Sequence, residues 1–409
     1  MTSPRPAQAG DAILGVLPRS VVEPATLEEA AEAMKGFARD RLHVAFVGGG
    51  TELGVGAPPA RLDVVLRTGK LARIVEHSPS DQIVVAEAGL PLASLQRTLA
   101  AHGQRLALDP PLPELATVGG LVAANAFGPR RTRYGTARDL IIGLSLVRAD
   151  GTSARGGGKV VKNVAGFDLP RLLVGSLGTL GLITSATFRL HPLPEVSATV
   201  VVEPIAGGQA RALVVATREA QLDPTSVMLL ARSGQLRLGV RFEGFEPGVR
   251  QQTERFSGVV SALGLRRELL EVGQAEAFWA DHEAARTSGA VRVRLAAPPS
   301  ALEALLDGVV GPLVRGLGQG WAVLDPWVGC GFAGGDPPDP ASATAALTLA
   351  RRALVALGGS LTLAAAPPEL RAGFDPWGAP PAAVEVMRRL KARLDPEGRL
   401  APGRFVGGI

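Results

Sequence analysis

Glycine is concentrated in three clusters in the first half of the chain, and these clusters restrict the possible folds more than any other feature. They occupy residues 48–50, 119–120 and 156–181. The first follows a short apolar run, residues 43–47, and opens a loop with five glycines in nine positions. Consecutive glycines let backbone N–H groups converge on an anion, so this loop predicts a phosphate-binding turn after a strand. A flexible turn without a ligand is the alternative interpretation.

The chain around these clusters alternates predicted strands and helices. Thr26 followed by Glu29 is a capping-box pattern, which predicts a helix from there to about Ala38. The Asp150-Gly151 pair predicts a hairpin turn after a long apolar strand. From about residue 195 the glycine-rich loops give way to an even mixture of strands and helices. We therefore predict an α+β protein with a domain boundary at that point.

Composition excludes several classes of protein. With 46% hydrophobic and 20% charged residues in 409, the chain is too apolar to be disordered. One cysteine excludes an internal disulfide framework, a cysteine-ligated zinc site and an iron–sulfur cluster held by this chain alone. The net charge of +5 is spread along the chain, which argues against nucleic-acid binding. The five histidines lack metal-ligand spacing, so we expect no metal site.

The chain ends and the apolar runs bear on localisation. No run approaches the ~18 apolar residues that a membrane span requires. The N-terminal apolar stretch, residues 12–17, is too short for a signal peptide and Asp11 precedes it. We therefore expect a soluble cytoplasmic protein with no transmembrane segment.

Two familiar nucleotide-binding motifs do not apply here. Gly158-Lys159 is followed by Val160, which excludes a Walker-type phosphate loop. A G-x-G-x-x-G string occurs at residues 329–334, but a Gly-Asp-Pro-Pro sequence follows it and cannot open a helix directly. We expect residues 329–340 to form a surface loop.

The second and third clusters carry the polar residues that the chain otherwise lacks. The chain has only two asparagines, Asn125 and Asn163, and each falls in one of these clusters. Asn125 offers an amide that can pair with a polar ring or a phosphate oxygen. Arginines follow at positions 130, 131 and 133, and Lys159 and Lys162 lie in the third cluster. A glycine-rich loop with surface arginines is the alternative.

Six sequence strings carry a family resemblance. They are FVGGGTELG (46–54), DPP (109–111), TVGGLVAANAFG (117–128), RYGTARDLIIGL (133–144), VVKNVAGFDLPRLLVGSLGTLGLIT (160–184) and RLHPLPE (189–195). In this order and spacing they resemble the flavin-binding domain of the vanillyl-alcohol oxidase/p-cresol methylhydroxylase superfamily. Within it they most resemble the FAD-binding E subunit of bacterial glycolate oxidases. The resemblance is dense over about residues 20–195 and returns at residues 387–405.

The resemblance implies an FAD site made mostly of backbone and small side chains. In this site the pyrophosphate is held by Gly48, Gly49, Gly50 and Thr51, beside Leu53, and the pyrophosphate or ribityl chain is also contacted by Thr117, Gly119 and Gly120. The flavin is lined by Asp109 and Pro110, and its isoalloxazine or ribityl oxygens are faced by Ala124, Asn125 and Gly128. The adenine side is touched by Ile183. Covalent members often carry a histidine where this chain has Thr51, so we expect non-covalent FAD. In the tail, Ala401 replaces the asparagine of a frequent Asn-Pro-Gly-Arg motif, and this puts one hydrogen bond in doubt.

The resemblance also implies the architecture. We expect a two-lobed FAD-binding domain of the p-cresol methylhydroxylase type over residues 15–195. An α+β substrate or cap domain with an antiparallel sheet should follow over residues 196–383. Residues 384–409 should return to the FAD domain, because the resemblance reappears there.

Three functions remain open at this point. The chain could be the FAD-binding subunit of a glycolate oxidase complex, oxidising a 2-hydroxy acid with a catalytic flavoprotein subunit and an iron–sulfur subunit as partners. It could instead be a self-sufficient FAD-linked dehydrogenase, or a non-catalytic scaffold. No histidine has a visible partner, so the sequence identifies no catalytic base. Arg292 and Arg294 alternate on one strand face and are candidates for a carboxylate clamp; an exposed strand face is the simpler interpretation.

Overall fold

The computed structural model describes residues 3–159 and 168–409. Two compact units divide the chain by its internal contacts. Unit 1 comprises Met1–Gly128, Gly135–Leu193 and Ala379–Ile409, and unit 2 comprises Pro129–Tyr134 and Pro194–Gly378. Each unit is therefore assembled from separate stretches of the chain. Asn163 and Lys162, singled out above, lie outside the described residues.

The strands are short in unit 1 and longer in unit 2. In chain order they are β1 (Arg5–Pro6), β2 (Ser20–Val22), β3 (Val44–Val47), β4 (Val64–Arg67), β5 (Ile74–Ser78), β6 (Ile83–Glu87), β7 (Gln104–Arg105), β8 (Ile141–Val147), β9 (Ser153–Gly157), β10 (Leu182–Arg189), β11 (His191–Pro192), β12 (Val196–Val202), β13 (Ser226–Arg232), β14 (Gln235–Gly244), β15 (Arg267–Leu270), β16 (Val291–Ala296), β17 (Trp321–Asp325), β18 (Cys330–Gly335) and β19 (Ser360–Ala365).

The helices range from one turn to about five turns. In chain order they are α1 (Leu27–Arg39), α2 (Leu92–Ala100), α3 (Val118–Ala124), α4 (Arg131–Tyr134), α5 (Ala137–Leu140), α6 (Leu169–Leu173), α7 (Gly207–Glu219), α8 (Glu246–Ala262), α9 (Val272–Thr287), α10 (Leu302–Leu305), α11 (Gly311–Gly316), α12 (Pro340–Ala356), α13 (Pro368–Gly373) and α14 (Val384–Leu394).

Unit 1 contains two principal sheets. The four-stranded sheet has the order β1-β2-β4-β3, in which β2 and β3 both run parallel to β4. The five-stranded sheet has the order β5-β6-β10-β8-β9 and is antiparallel throughout. A shared apolar core joins α1 to both sheets through Met34, Leu66 and Val147. This core holds the end of β3, where the first glycine cluster begins.

Two of the expected elements in unit 1 form where local sequence signals predict them. The Thr26 hydroxyl accepts from the Glu29 amide at 3.2 Å, so α1 begins as predicted, and it ends at Arg39. The Glu29 carboxylate also accepts from the amide of Ala25 at 2.9 Å. The Asp150-Gly151 turn joins β8 and β9 as an antiparallel hairpin, also as predicted.

Unit 2 is built on one antiparallel sheet of eight described strands. The strand order is β15-β12-β14-β13-β17-β18-β16-β19. One face packs against α7, α8 and α12 in a core that includes Leu213, Phe242, Phe256 and Leu347. Phe278 of α9 meets the sheet at Gly239. The expectation of an α+β fold with an antiparallel sheet in the second part is confirmed.

The expected surface loop at residues 329–340 is wrong. Residues 330–335 form β18, which is fully buried between β17 and β16. A Cβ on Gly331 would lie 2.1 Å from the Val323 carbonyl oxygen, and one on Gly335 would lie 2.4 Å from the Leu317 carbonyl oxygen. These glycines are needed for close packing of neighbouring backbone, and not for a flexible turn.

Candidate functional site

The first glycine cluster leaves β3 and packs tightly against a neighbouring loop of unit 1. A Cβ on Gly48 would lie 2.1 Å from the Thr117 Oγ1 atom. A Cβ on Gly49 would lie 1.7 Å from the Leu115 carbonyl oxygen, and Gly50 has a φ of +77°. Larger side chains at these positions would push the two loops apart. The local backbone path therefore depends on glycine.

The same loop presents unused backbone donors. Among the described residues, none accepts a hydrogen bond from the amides of residues 48–51. The loop closes on itself further on, where the Leu53 amide donates to the Gly50 carbonyl at 3.2 Å. Successive amides without acceptors in a glycine loop form a concave anion site. This geometry suits a phosphate group.

The amides at the start of α3 are used within the protein. The Val118 amide donates to Leu90 at 3.0 Å, and the Gly119 amide donates to Ala88 at 2.7 Å. The Gly120 amide donates to the Thr117 hydroxyl at 3.3 Å. These donors are therefore not available to a phosphate. A ligand would touch Gly119 and Gly120 through their Cα surfaces.

These elements surround one cavity, here called the glycine-lined cavity. The cavity is open to solvent on one side, and its walls are mostly apolar. Ten of the fourteen residues expected to bind FAD line it: Gly48, Gly49, Gly50, Thr51, Leu53, Thr117, Gly119, Gly120, Ala124 and Ile183. The structure thus brings the first two clusters and the start of β10 to one place.

The other four expected residues do not line this cavity. Gly128 packs against Asp109, because a Cβ on Gly128 would lie 1.7 Å from the Asp109 carbonyl oxygen. Pro110 is buried beside them. Asn125 ends α3 in the left-handed conformation with a φ of 47°, and its buried Oδ1 atom has no hydrogen-bond partner among the described residues. An unsatisfied buried amide oxygen is costly, so it marks Asn125 as a candidate ligand contact.

Sequence reasoning expected residues 384–409 to return to the FAD domain but did not include any of them among the residues of the site. Arg404 lines the cavity, and its guanidinium donates to the carbonyls of Leu53 at 3.1 Å and Val55 at 2.9 Å. Ala401 also lines the cavity, with a φ of 43° that asparagine adopts more readily than alanine. The Pro-Gly-Arg sequence in the tail was the available signal for this contact.

The arginines that follow the second cluster belong to unit 2. Arg130 lies 3.7 Å from the Glu243 carboxylate, and Arg133 lies 3.0 Å from that of Asp223. Between them, the Thr132 hydroxyl donates to the Asp325 carboxylate at 2.8 Å. Residues 129–134 are therefore anchored to the sheet of unit 2. Complete burial raises the pKa of Asp325 to about 6.

Unit 2 also holds a buried polar group on the side of α9. His282 is 1% exposed, and neither ring nitrogen has a hydrogen-bond partner among the described residues. Burial, with the nearby charges of Arg286 and Arg241, lowers the pKa of His282 to about 3. This imidazole therefore stays neutral and is a poor proton acceptor near neutral pH.

The strand arginines of β16 are half-buried, so the simpler interpretation of an exposed face is wrong. Arg292 donates to the Thr287 carbonyl at 3.1 Å. The Arg294 guanidinium lies 5.8 Å from the centre of the Phe332 ring, and that of Arg286 lies 4.6 Å from it. β16 is paired with a neighbouring strand on each side, and its two arginines alternate along it with buried apolar residues.

Comparison with known proteins identifies part of unit 1 as an FAD-binding domain. Residues 18–157 match a family model described as an FAD binding domain, and this stretch of the chain is an FAD-binding domain. The solved structure of p-cresol methylhydroxylase with substrate bound has the same fold, with a TM-score of 0.73 at 15% identity, covering 95% of this chain and 88% of that one.

Two curated relatives are similar in sequence over part of the chain. A D-lactate dehydrogenase of Archaeoglobus fulgidus is 42% identical over 175 residues, covering 42% of this chain and 38% of that protein. The glycolate oxidase subunit GlcE of Escherichia coli is 34% identical over 237 residues, covering 57% of this chain and 64% of that protein. The chain therefore matches less than two thirds of the length of either relative.

The residues present fit the FAD that such a domain binds. The unused amides of residues 48–51 suit an anion such as a pyrophosphate, and Gly48, Gly49 and Gly119 allow the close packing of the loops that carry them. The described lining of the cavity contains no histidine, cysteine or tyrosine that could attach the flavin covalently. None of the described helices combines the length and apolar character needed to cross a membrane.

Proposed function

We propose that this chain is the FAD-binding subunit of a glycolate oxidase (glycolate dehydrogenase) complex. It acts there as an FAD-dependent oxidoreductase on the CH–OH group of a 2-hydroxy acid, giving a 2-oxo acid. The observation that carries the proposal is the glycine-lined cavity with its unused amides, in a chain similar to a glycolate oxidase subunit over 57% of its length. Bound FAD would supply the hydride acceptor for this oxidation.

The proposed site assigns a task to each part of the cavity. The amides of residues 48–51 hold the pyrophosphate, and the carbonyl contacts of Arg404 hold the following turn in place. The Asn125 amide faces the flavin end, and Asp109, Pro110 and Gly128, of which Gly128 packs against Asp109, are assigned to the same end. The FAD is bound non-covalently, since Thr51 stands where covalent members often carry histidine.

The proposed partners are a catalytic flavoprotein subunit and an iron–sulfur subunit. The described cavity lining offers no histidine as a proton acceptor, and His282 of unit 2 has a pKa of about 3. The single cysteine cannot hold an iron–sulfur cluster. Both facts favour a base and an electron route outside this chain. We propose a cytoplasmic location, with any contact to the membrane made through the partners.

A self-sufficient dehydrogenase is the second candidate, because the chain is also similar to a D-lactate dehydrogenase over 42% of its length. Purification of the chain with and without its two partner subunits separates the two. We expect flavin-bound protein that is inert towards glycolate and D-lactate alone, and that becomes active when the partners are added. Dye reduction by the chain alone would support the self-sufficient enzyme. A colourless protein that releases no flavin on denaturation would contradict both.

A further inference from the structure

Unit 1 contains a second cavity, here called the arginine-rimmed cavity, that the proposed function does not use. Leu172, Leu180, Met387 and Leu390 contribute to its apolar lining, and Arg138 and Arg171 contribute its cations. Mostly apolar walls with a few charged side chains are typical of a small-molecule site.

The charged side chains of this cavity are both arginines, and Ile409, the last residue of the sequence, adds the terminal carboxylate to the lining. Among the described lining residues there is no aspartate or glutamate. Arg171 is engaged by Asp168 at 3.2 Å and by the Arg138 carbonyl at 3.2 Å. The Arg138 guanidinium has no carboxylate within ion-pair distance in the described part of the chain. An anion at the rim would therefore be attracted by at least one uncompensated charge.

A buried hydroxyl in the lining is a second feature that a bound ligand would satisfy. Ser176 lines the cavity and is 5% exposed, and its Oγ atom has no hydrogen-bond partner among the described residues. Its carbonyl is already occupied by the Thr179 amide and hydroxyl. A buried polar atom without a partner is unfavourable, and a ligand oxygen would satisfy it.

We propose that the arginine-rimmed cavity binds a small organic anion with an apolar body. The anionic group pairs with Arg138 and Arg171, and the body lies on Leu180, Met387 and Leu390. This assignment rests on the cavity's own residues and does not depend on the proposed function.

The two cavities share a wall, which couples the proposed site to the flavin. In the stretch between α6 and β10, Ser176 and Thr179 line the arginine-rimmed cavity. Leu177 and Gly178, which lie between them in sequence, line the glycine-lined cavity. A ligand that orders this stretch will change the surroundings of bound FAD. We therefore expect its binding to shift the visible absorption spectrum of the flavin.

Calorimetric titration of the purified full chain, with its flavin, tests the proposal with octanoate as the probe. We expect saturable binding of one octanoate per chain. Arg138→Gln should weaken it about tenfold, the loss expected for one charge-assisted contact. Octanol and inorganic phosphate at the same ionic strength should bind much more weakly, because octanol lacks the anionic group and phosphate lacks the apolar body.

A pair of tryptophan variants on α14 supplies the matched control. Met387→Trp should fill the cavity and abolish octanoate binding, whereas Val386→Trp, at a 50% exposed neighbouring position that does not line the cavity, should leave it unchanged. Equal flavin content in the two variants verifies the fold. Absence of saturable binding, binding that survives both Arg138→Gln and Met387→Trp, or phosphate binding as tight as that of octanoate would overturn the proposal. None of these readouts requires hydroxy-acid oxidation.

Discussion

At the scale of single residues, the glycine-lined cavity depends on positions where a methyl group has no room. Gly49→Ala would place a Cβ 1.7 Å from the Leu115 carbonyl oxygen. We expect the loop displacement to weaken FAD binding about tenfold, since such clashes cost on the order of 1–3 kcal/mol. The measurement is the flavin-to-protein absorbance ratio after dialysis. Gly36→Ala is the control: a Cβ on Gly36 in α1 meets nothing within 4 Å, and flavin content should be unchanged.

Asn125 has two separable properties, its backbone conformation and its amide. Its φ of 47° is tolerated by asparagine and glycine but costs alanine about 1–2 kcal/mol. Asn125→Gly keeps the backbone and removes only the amide. If the amide contacts FAD, as proposed, both Asn125→Gly and Asn125→Ala should lose flavin on dialysis. Flavin retention by Asn125→Gly at the wild-type level would show that Asn125 only caps α3.

At the scale of elements, the C-terminal helix α14 is fastened by one buried ion pair. Lys391 donates to Asp395 at 2.7 Å and also to the carbonyls of Thr179 and Leu400, each at 2.8 Å. The Lys391 side chain is 10% exposed and that of Asp395 is fully buried. Burial lowers the pKa of Lys391, and the Asp395 carboxylate opposes this shift.

Removal of one partner of the Lys391–Asp395 ion pair should therefore strongly destabilise unit 1. Lys391→Met leaves the Asp395 charge buried and unpaired, and we expect the free energy of unfolding of unit 1 to fall by about 3–5 kcal/mol. Thermal release of flavin fluorescence measures this change. Arg389→Met, at an exposed position on the same helix, should have the melting temperature of the wild type. A melting temperature for Lys391→Met equal to that of Arg389→Met would contradict the assignment.

The elements that could be predicted from sequence are those whose signal is local. The Thr26 cap of α1 and the Asp150-Gly151 turn each depend on neighbouring residues, and both were found where expected. β18 was not, because its glycines serve close contacts with the backbone of β17 and of Leu317 that exist only once the sheet has formed. Glycine in a buried strand looks the same in sequence as glycine in a loop.

In the candidate site too, the residues predicted correctly are those with a local sequence signal. Ten of fourteen expected residues line one cavity because two glycine clusters and β10 carry their signal in short strings. The Arg404 contact was not predicted, since it joins residues 351 positions apart. The anchoring of residues 129–134 to unit 2 was missed for the same reason: the Thr132 hydroxyl meets Asp325, 193 positions away.

At the scale of the whole molecule, the stability of unit 2 should depend on pH through Asp325. Its pKa in the folded chain is about 6, against 3.8 for the free side chain. Below about pH 4 the carboxyl is protonated in both states and carries no penalty. As pH rises from about 4 to 6, the unfolded chain loses its proton first, so the free energy of unfolding falls, by about 3 kcal/mol for this shift.

Tryptophan fluorescence is the appropriate probe, because all four tryptophans lie within residues 194–378. Asp325→Asn should remove most of the decline in the denaturation midpoint between pH 4 and 6. Asp281→Asn, at a half-exposed carboxyl on α9, should keep the wild-type pH profile. A profile for Asp325→Asn that still declines like the wild type would show that another group is responsible.

The return of the C-terminal segment to unit 1 has a consequence for biosynthesis. The first glycine cluster of the cavity begins at residue 48, yet Ala401 and Arg404 complete the cavity wall. The Ala401 amide donates to the Val44 carbonyl at 2.8 Å, in the strand that leads into this cluster. A ribosome must therefore add more than 350 further residues after Gly50 before that wall can close. Chains that stop before residue 401 cannot form a complete cavity, so flavin incorporation reports on full translation as well as on folding.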